Sequence, residues 1–300
     1  PPPPSRPPPS LRRAPCRPNG RSAMAAAGSS GGPVAGKVCV VTGGGSGIGA
    51  ALCRKFAELG AKRVVVADLS EDSARQVASE VGGLAVRCNV AQEMDVRRLI
   101  SIAEAQAGPI SVFAANAGLP SNGGYEVPND EWDRTLGVNV MQHVYVARHL
   151  FPLWQRREGD KHFVITASAA GLLTQVGSLP YSVTKHAAVA LAEWYAITYA
   201  EHGIRVSCLC PQAVETGMAP KGSGGGVAGG DGVLPPSKVA QDVVEAMAEG
   251  RFLVLPHPEV KKYVQRKAAD HDRWLAGMGR LQRSFGKEAA RMPPMTAAKL

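Results

Sequence analysis

The sequence contains no apolar run of roughly 18 residues, the length that a membrane-spanning helix needs, so no transmembrane span is predicted. It also lacks the cysteine spacings of a zinc site or a disulfide framework. Most of the 6 cysteines lie in apolar, strand-like runs, and Cys208 and Cys210 share one side of a strand, where reduced core residues are expected rather than a redox pair. The 7 histidines form no cluster, and we predict no metal site.

Acidic residues are missing before Glu58, and basic residues are concentrated at the two ends of the chain. Residues 1–23 hold five arginines, and residues 261–300 hold ten Lys/Arg against three acids, so the net charge of +9 leaves −3 for residues 24–260. Proteins that bind nucleic acid usually carry a basic stripe on the folded face. The distribution of charge therefore predicts no nucleic-acid partner.

The first 35 residues are rich in proline, arginine and glycine and are predicted to be disordered. Mitochondrial targeting segments are also rich in arginine, but they form amphipathic helices, which these prolines prevent. We expect residues 1–23, which precede Met24, to be an extension upstream of the natural start.

Strand-like and helix-like segments alternate along the rest of the chain, which has 300 residues and is 45% hydrophobic. This alternation predicts an α/β fold: one Rossmann-type, doubly wound parallel sheet over residues 36–256, with helices on both faces. A C-terminal helix over 259–281 and a basic tail complete a third segment, residues 257–300. Strands are predicted within 36–44, 62–70, 83–90, 110–118, 161–171, 204–211 and 251–259. Helices are predicted over 46–60, 70–81, 92–107, 129–154, 179–202 and 236–249, and the Gly-rich segment 217–232 is expected to be mobile.

The stretch TGGGSGIG (42–49) joins the first strand to the first helix. Gly43 permits a tight turn, Gly47 lets the backbone approach a pyrophosphate, and Gly49 lets the helix pack on the strand. The helix N-terminus supplies N–H donors and a partial positive charge. Asp68 ends the second strand, where it can accept hydrogen bonds from ribose hydroxyls and repel a 2′-phosphate, which favours NAD(H) over NADP(H).

A tyrosine and a lysine stand four residues apart in YSVTK (181–185), on an otherwise apolar helix. Taken alone, Lys185 could be a surface lysine whose stem lies on apolar neighbours. However, Ser168 ends the fifth strand, and sheet end and helix start would bring Ser168, Tyr181 and Lys185 to the side of the sheet where ligands bind. A nearby ammonium would lower the pKa of the tyrosine and make it a usable base.

Several motifs occur in order and at proper spacing. They are TGGGSGIG, Asp68, CNV (88–90), ANAG (115–118), GVNV (137–140), ITASAAG (165–171), YSVTK and CPQAVET (210–216). With them the sequence resembles the short-chain dehydrogenase/reductase family over roughly 36–256. The resemblance implies that Tyr181 is the general acid/base, that Lys185 lowers its pKa and holds the ribose, that Ser168 polarises the substrate oxygen, and that Asn139 anchors a relay water. It also implies cofactor contacts at Gly43, Ser46, Gly47, Ile48, Gly49, Asp68, Leu69, Asn89, Val90, Asn116, Ala117, Gly118, Tyr181, Lys185, Val214 and Thr216.

Three positions depart from the family pattern: Ala115 replaces a common Asn, Asn89 a frequent Asp, and Gln212 the usual Gly. Gln212 would point towards the nicotinamide or substrate. The expected activity is NAD-dependent interconversion of a secondary alcohol and a ketone. Because the wall 168–180 is mostly apolar, with Gln175 and Ser178 as polar points, the substrate is expected to be lipid-like, steroid-like or xenobiotic. An NADPH-dependent carbonyl or enoyl reductase and a non-catalytic dinucleotide-binding scaffold are the alternatives.

Two further expectations concern partners and location. Family members commonly pair long helices such as 129–154 and 179–202 across subunits, so the resemblance implies a homodimer or homotetramer. The terminal residues AKL are similar to the peroxisomal signal Ser-Lys-Leu, which an import receptor binds. The chain is therefore expected in the peroxisome or in the cytoplasm.

Overall fold

The computed structural model describes residues 32–218 and 224–289. The C-terminal AKL and all but the last four residues of the predicted disordered segment 1–35 lie outside these ranges. Residues 32–35, which were predicted to be disordered, instead form a turn in which Val34 is buried and Ala35 N–H donates to the carbonyl of Gly32 at 3.2 Å. Within the described ranges, no helix combines the length and hydropathy of a membrane span. The same residues contain no group of His, Cys, Asp and Glu side chains that could hold a metal ion.

Seven parallel strands form a single sheet in the order β3-β2-β1-β4-β5-β6-β7. Their bounds are β1 Val38–Thr42, β2 Arg63–Asp68, β3 Leu84–Arg87, β4 Ile110–Ala115, β5 Lys161–Thr166, β6 Ile204–Leu209 and β7 Leu253–Val254. Strands covered on both faces read as continuous apolar runs, as in β1, which is buried throughout. The strand order reverses between β1 and β4, and the carboxyl ends of these two strands border the crevice where ligands bind in such sheets.

Helices connect the strands and cover both faces, as predicted. Their bounds are α1 Gly47–Glu58, α2 Glu71–Glu80, α3 Glu93–Gln106, α4 Asn129–Leu136, α5 Gln142–Gln155, α6 Ala170–Leu173, α7 Leu179–Tyr199, α8 Pro236–Glu249, α9 Glu259–Ala269 and α10 His271–Ala289. A π-helical turn, Gly137–Met141, joins α4 to α5. One hydrophobic core lies between the sheet and α3, α5 and α7, and a second between the sheet and α1, α2 and α8.

The C-terminal part of the chain differs from the prediction in two ways. The last strand pairs over only two residues, because Pro256 and Pro258 have no N–H to donate to a neighbouring strand. The predicted helix over 259–281 is broken at Asp270, whose backbone is extended. The Asp270 carboxylate accepts a hydrogen bond from the backbone N–H of Arg273 at 3.0 Å and so caps the start of α10.

Part of the Gly-rich segment that was expected to be mobile packs back on the chain. Residues Gly226–Gly229 form a 3₁₀ turn. The N–H of Ala213 donates to the carbonyl of Ala228 at 3.2 Å, and Leu234 N–H donates to the carbonyl of Ala213 at 3.1 Å. This segment therefore lies along residues 213–215, directly after the sixth strand.

The five cysteines within the described residues are free and buried, as expected for reduced core residues. Cys208 and Cys210 place their sulfur atoms 3.7 Å apart on one side of the chain. The hydrogen bond with the Cys210 thiol, together with burial, holds the pKa of Cys208 well above its ordinary value, which makes Cys208 a poor nucleophile at neutral pH.

Candidate active site

The glycine turn after β1 is built so that three of its glycines cannot be replaced without displacement. Gly43 and Gly47 have positive φ values of 61° and 50°, which strain residues with a side chain. A Cβ on Gly47 would lie 2.8 Å from the methyl carbon of Thr216, and one on Gly49 would lie 1.9 Å from the carbonyl oxygen of Gly43. The turn therefore keeps the N-terminus of α1 close to Thr216.

The first turn of α1 is open to an anion. Ser46 precedes the helix, its side chain makes no capping hydrogen bond, and the first turn carries no acidic residue. The N–H groups that start a helix have no partner within it and attract negative charge. Ile48, by contrast, turns towards the hydrophobic core under α1.

Asp68 lies at the end of β2, beside the glycine turn. Its carboxylate accepts hydrogen bonds from the N–H of Gly45 at 2.9 Å and from the N–H of Ser70 at 3.0 Å. Each carboxylate oxygen has a second lone pair, so both remain able to accept a hydroxyl group. The next residue, Leu69, is 55% exposed.

The predicted adenine side is formed after β3. The side chain of Asn89 accepts a hydrogen bond from Ala91 N–H at 3.1 Å, while its own N–H donates to Asp95 at 3.0 Å. Val90 is buried beside it. Asn89 thus has a structural task in turning the chain into α3, in addition to its predicted place at the cofactor.

Asn116 connects three strand ends at the switch point. Its amide nitrogen donates to the carbonyl of Thr42 at 3.1 Å, and its amide oxygen accepts from the Thr166 hydroxyl at 3.1 Å. The Thr42 hydroxyl accepts from the backbone N–H groups of Asn116 and Ala117 at 2.9 and 3.2 Å. These contacts fix the carboxyl edges of β1, β4 and β5 relative to one another.

Ser168 and Tyr181 share a hydrogen bond between their side chains. The Ser168 oxygen also accepts from Ala170 N–H at 3.1 Å and lies 3.5 Å from the carbonyl oxygen of Pro211. Burial raises the pKa of Tyr181 above its ordinary value, and the hydrogen bond from Ser168 offsets this only in part. Two hydroxyl groups therefore meet at one point, where they can hold a substrate oxygen.

Lys185 is 3% exposed, and its Nζ lies 5.6 Å from the centre of the Tyr181 ring. It donates a hydrogen bond to the carbonyl of Thr166 at 3.0 Å. Burial lowers the pKa of Lys185 to about 8, because the charged ammonium is poorly solvated there. The pKa of Tyr181 is raised overall, whereas the sequence predicted that it would be lowered, because burial outweighs the hydrogen bond from Ser168.

Asn139 lies in the π-helical turn and is completely buried. Its amide nitrogen donates to the carbonyl of Leu119 at 2.9 Å and to the Thr184 hydroxyl at 3.1 Å, and its amide oxygen accepts from Leu119 N–H at 2.8 Å. A Cβ on Gly118 would lie 3.4 Å from Lys185 Nζ and 3.5 Å from the Asn139 amide oxygen. Because it has no side chain, Gly118 leaves a gap between these two polar groups.

The predicted nicotinamide side lies after β6. Val214 is buried and bridges to Leu234, and the Thr216 hydroxyl accepts from Met218 N–H at 3.2 Å. Gln212 does not point freely into the site, because its amide donates to Asp231 at 2.9 Å.

Asp231 links three parts of the chain around this edge of the site. One carboxylate oxygen accepts from Gln212, and the other accepts from the Tyr263 hydroxyl of α9 at 2.9 Å. Helix α9 is also tied to α6 by Lys267, which donates to the carbonyl of Leu172 at 2.8 Å. The predicted substrate side is therefore bordered by Asp231 and by α9.

The two polar residues that were predicted to face a substrate from the wall 168–180, Gln175 and Ser178, lie in different environments. Ser178 is buried and donates to the carbonyl of Ser121, so it does not face a substrate. The backbone of Gln175 pairs with the Ser182 hydroxyl, and the residue borders a cleft of about 460 Å³ at the start of α7.

Several residues of the site were not singled out from the sequence. Thr42, Thr166 and Thr184 act through hydrogen bonds of their side-chain hydroxyls, for which the sequence gives no signal. Gln142 and His143 are completely buried at the start of α5. Two adjacent polar residues in a helix that is otherwise apolar on its inner face are a signal that could have been used.

The residues present fit a dinucleotide cofactor. The turn 43–49 has no side chain on its three close-packed glycines, and its helix start is open to phosphate. The Asp68 carboxylate lies beside this turn and could accept hydrogen bonds from ribose hydroxyls. The carboxyl ends of β1 and β4 border the same crevice, with Lys185 and Tyr181 beyond β5.

A model of the short chain dehydrogenase family matches residues 37–223. The chain belongs to the short-chain dehydrogenase/reductase family. Among its relatives in this family, 1-deoxy-11-beta-hydroxypentalenate dehydrogenase of Streptomyces exfoliatus is 35% identical over 75% of this chain and 84% of its own length. The mitochondrial borneol dehydrogenase of Lavandula x intermedia is 33% identical over 61% of this chain and 71% of its own. A short-chain dehydrogenase/reductase of Burkholderia phymatum, solved in complex with NAD, superposes with a TM-score of 0.74 at 28% identity, covering 89% of this chain and 99% of the other.

Proposed function

We propose that this short-chain dehydrogenase/reductase interconverts a secondary alcohol and a ketone, with NAD as the cofactor. The observation that carries the proposal is the meeting of Ser168, Tyr181 and Lys185 beside an open glycine turn. The nicotinamide ring, when bound, would accept a hydride from the carbinol carbon. In this proposal Ser168 orients the substrate hydroxyl, and Tyr181 accepts its proton.

Lys185 supports Tyr181 in this reaction. Because burial raises the pKa of Tyr181, the phenolate needs a positive charge nearby. The Lys185 Nζ lies 5.6 Å from the centre of the Tyr181 ring, which is within range to provide that charge. The hydrogen bond from Lys185 to the Thr166 carbonyl holds the ammonium at this position. We also assign Asn139 to this group, as the residue that shapes the space next to Lys185.

Asp68 supports NAD rather than NADP. Its carboxylate is held at the glycine turn by Gly45 and Ser70, where it would repel a 2′-phosphate. One observation favours the alternative, an NADPH-dependent reductase: Arg87 on β3 is exposed and is the cross-strand neighbour of Asp68. NADP would bind only if the attraction of Arg87 for its 2′-phosphate outweighed the repulsion from the Asp68 carboxylate.

The substrate that we propose is an apolar, ring-containing alcohol. Within the wall 168–180, Ser178 is engaged by Ser121, which leaves few polar groups for a polyol. The names of two relatives point the same way, since one is a hydroxypentalenate dehydrogenase and the other a borneol dehydrogenase.

The decisive experiment measures NADH or NADPH formation by the purified chain with borneol, cyclohexanol and a polyol, each offered with NAD⁺ and NADP⁺. We expect turnover of borneol with NAD⁺ and little with the polyol. Tyr181→Phe should abolish turnover and leave NADH binding within a few-fold, whereas Tyr145→Phe, on α5, serves as the matched control and should keep activity. No turnover of any alcohol, or full activity of Tyr181→Phe, would contradict the proposal.

We also propose that the chain forms a homodimer or homotetramer. Helix α7 carries four large apolar side chains that stay exposed: Leu179 at 41%, Val183 at 44%, Trp194 at 54% and Ile197 at 80%. Exposed apolar side chains along one helix are typical of protein interfaces. Sedimentation of the wild-type chain should give a dimer or larger species and Ile197→Glu a smaller one; a monomeric wild-type chain would refute the assembly.

For localisation we propose import into peroxisomes, with the cytoplasm as the alternative. The proposal rests on the terminal AKL at 298–300, which is similar to Ser-Lys-Leu. Residues 289–300 fused to a fluorescent protein should give punctate signal that overlaps a peroxisomal marker. The same fusion with Leu300→Ser is the control, and a diffuse signal from both would count against import.

A further inference from the structure

The chain that follows β6 is held by a side chain at the point where the sheet ends. Cys210 N–H donates to the carbonyl of Val254 at 2.9 Å, which continues the pairing of β6 with β7. The next N–H at this spacing, two residues further on, is that of Gln212. Its acceptor is not a backbone carbonyl but the Nδ1 atom of the His257 ring, at 3.2 Å. A histidine has therefore taken the place of the backbone as the acceptor for this N–H.

The His257 ring is built to accept this hydrogen bond. The residue is 2% exposed. Because Gln212 N–H donates to Nδ1, this nitrogen carries no proton. Burial lowers the pKa of His257, while a hydrogen bond with the backbone of Gly232 and the charges of three carboxylates act in the opposite direction. These carboxylates belong to Asp231 in the Gly-rich segment, Glu259 at the start of α9 and Asp242 on α8. The pKa stays below its ordinary value overall, so the ring is neutral at pH 7.

The N–H of Gln212 and the carbonyl of Pro211 belong to the same peptide group. A trans peptide group is planar, and its N–H and C=O bonds point in opposite directions, so that fixing one bond fixes the other. The Pro211 carbonyl accepts a hydrogen bond from Ala169 N–H at 2.9 Å, and it lies 3.5 Å from the side-chain oxygen of Ser168. His257 therefore stands on one side of a rigid group, and Ser168 stands on the other.

We propose that His257 is a positioning residue for Ser168: its Nδ1 holds the peptide group between Pro211 and Gln212, whose carbonyl sets the place of the Ser168 hydroxyl. The inference rests on the proposed function, in which Ser168 orients the substrate oxygen. The His257 ring acts through the peptide group and exchanges no proton with the substrate. A protonated ring would turn an N–H towards that of Gln212 and release the peptide group.

Kinetics of three variants test this role, with borneol and NAD⁺ as probes. His257→Leu removes the acceptor and should lower kcat about tenfold, the effect of losing one hydrogen bond in the reacting complex. His257→Asn keeps an acceptor oxygen near the place of Nδ1 and should restore kcat to within about threefold of wild type. NADH binding should be unchanged in both variants.

His162 provides the matched control. It is a buried histidine near the start of β5, at the opposite end of this strand from Ser168, and it pairs with the Ser207 hydroxyl at 3.0 Å. His162→Leu should lower the melting temperature and leave kcat unchanged. An equal loss of kcat in His257→Leu and His257→Asn, or in His257→Leu and His162→Leu, would overturn the proposal.

A double variant shows whether His257 acts through Ser168. His257→Leu should slow the wild-type chain about tenfold, but it should slow the residual turnover of Ser168→Ala by less than about twofold, because the hydroxyl that it positions is already missing. A histidine that only supports the fold would slow both chains by the same factor, and that result would refute the assignment.

The pH dependence of ketone reduction gives a further readout. Reduction uses the protonated form of Tyr181, so acid does not remove the form of Tyr181 that reacts. With NADH and the ketone of borneol, wild-type kcat should fall at a pH below the ordinary histidine value of 6.5, as His257 takes up a proton and releases Gln212 N–H. His257→Asn has no group to titrate there and should keep its activity, with circular dichroism showing that both chains are folded. A fall of the same size and position in His257→Asn would count against the proposal.

Crystal structures of the variants separate this inference from the proposed activity. In His257→Asn the Pro211 carbonyl should keep its hydrogen bond from Ala169 N–H. In His257→Leu this carbonyl should turn away, and the Ser168 hydroxyl should shift with it. That shift, found in a chain that turns over no alcohol, would support the positioning by His257 and contradict the proposed function. An unchanged peptide group in His257→Leu would overturn the inference whatever the activity of the chain.

Discussion

Replacing Lys185 by methionine should make the folded chain more stable at neutral pH while it abolishes turnover. Burial lowers the pKa of Lys185 from 10.5 to about 8. At 1.36 kcal/mol per pKa unit, holding the charged ammonium inside the fold costs about 3 kcal/mol relative to the unfolded chain. Methionine fills a similar volume without this cost, but it leaves the carbonyl of Thr166 without its donor, which costs about 1–2 kcal/mol. We therefore expect Lys185→Met to be roughly 1–2 kcal/mol more stable at pH 7.

The sign of this difference should depend on pH. Between about pH 8 and 10.5 the unfolded chain keeps the Lys185 proton that the folded chain has released, so wild-type stability rises relative to the variant across this window. At higher pH the only remaining difference is the hydrogen bond to the Thr166 carbonyl, which the variant lacks, and Lys185→Met should become the less stable protein. Urea unfolding of both proteins at pH 7 and at the alkaline end of the window measures the change.

A surface lysine provides the matched control. Lys262 on α9 is exposed, and its replacement by methionine should change stability by a similar amount at both pH values. Lower stability of Lys185→Met at pH 7, or a stability difference that does not change with pH, would refute the claim that burial weakens the Lys185 charge. It would also remove the physical basis for treating Lys185 as a group close to titration at working pH.

Three other changes test the cofactor and substrate sides. Gly49→Ala places a Cβ 1.9 Å from the Gly43 carbonyl oxygen and should abolish NADH binding. Gly230 has open space around it, so the control variant Gly230→Ala should bind NADH normally. Equal NADH binding by both variants would contradict the packing argument. Asp68→Ala removes the acceptor for Gly45 and Ser70 and should raise KM for NAD⁺ about tenfold while improving use of NADP⁺, as kinetics with each cofactor would show; an unchanged ratio would count against the ribose contact. Asp231→Ala removes the carboxylate that accepts hydrogen bonds from Gln212 and Tyr263, and it should raise KM for borneol about threefold or more without changing NADH binding. Tyr263→Phe removes one of these two hydrogen bonds and should have the same effect. A change in thermal stability alone would indicate a purely structural link.

The sheet and the glycine turn could be predicted because their signals are local. Continuous apolar runs such as β1 indicate buried parallel strands, and the seven-stranded order and two covered faces confirm that interpretation. The spacing of Ser168, Tyr181 and Lys185 also placed them together, because sheet ends and helix starts meet at one edge. What these side chains do in catalysis stays a prediction.

The direction of the pKa shifts could not be predicted, because it depends on tertiary burial. From the sequence, a lowered pKa was expected for Tyr181, but desolvation by the surrounding chain raises it overall despite the hydrogen bond from Ser168. The tie between Gln212 and Asp231 spans a glycine-rich segment that has no periodic pattern. The helix over 259–281 was predicted as one element, since an aspartate within a polar stretch does not by itself show that it caps a second helix.

The π-helical turn between α4 and α5 sets a limit on how this site can vary. Each residue advances an α-helix by about 100°, so removing one residue from 137–141 would turn everything before the deletion by that angle relative to everything after it. Asn139, which donates to Thr184 on α7, could then no longer face that helix while α5 keeps its packing on the sheet. We expect single-residue deletions in this turn to be far more damaging than substitutions of its exposed side chains. The length of the segment, as much as its composition, is therefore part of what defines the site.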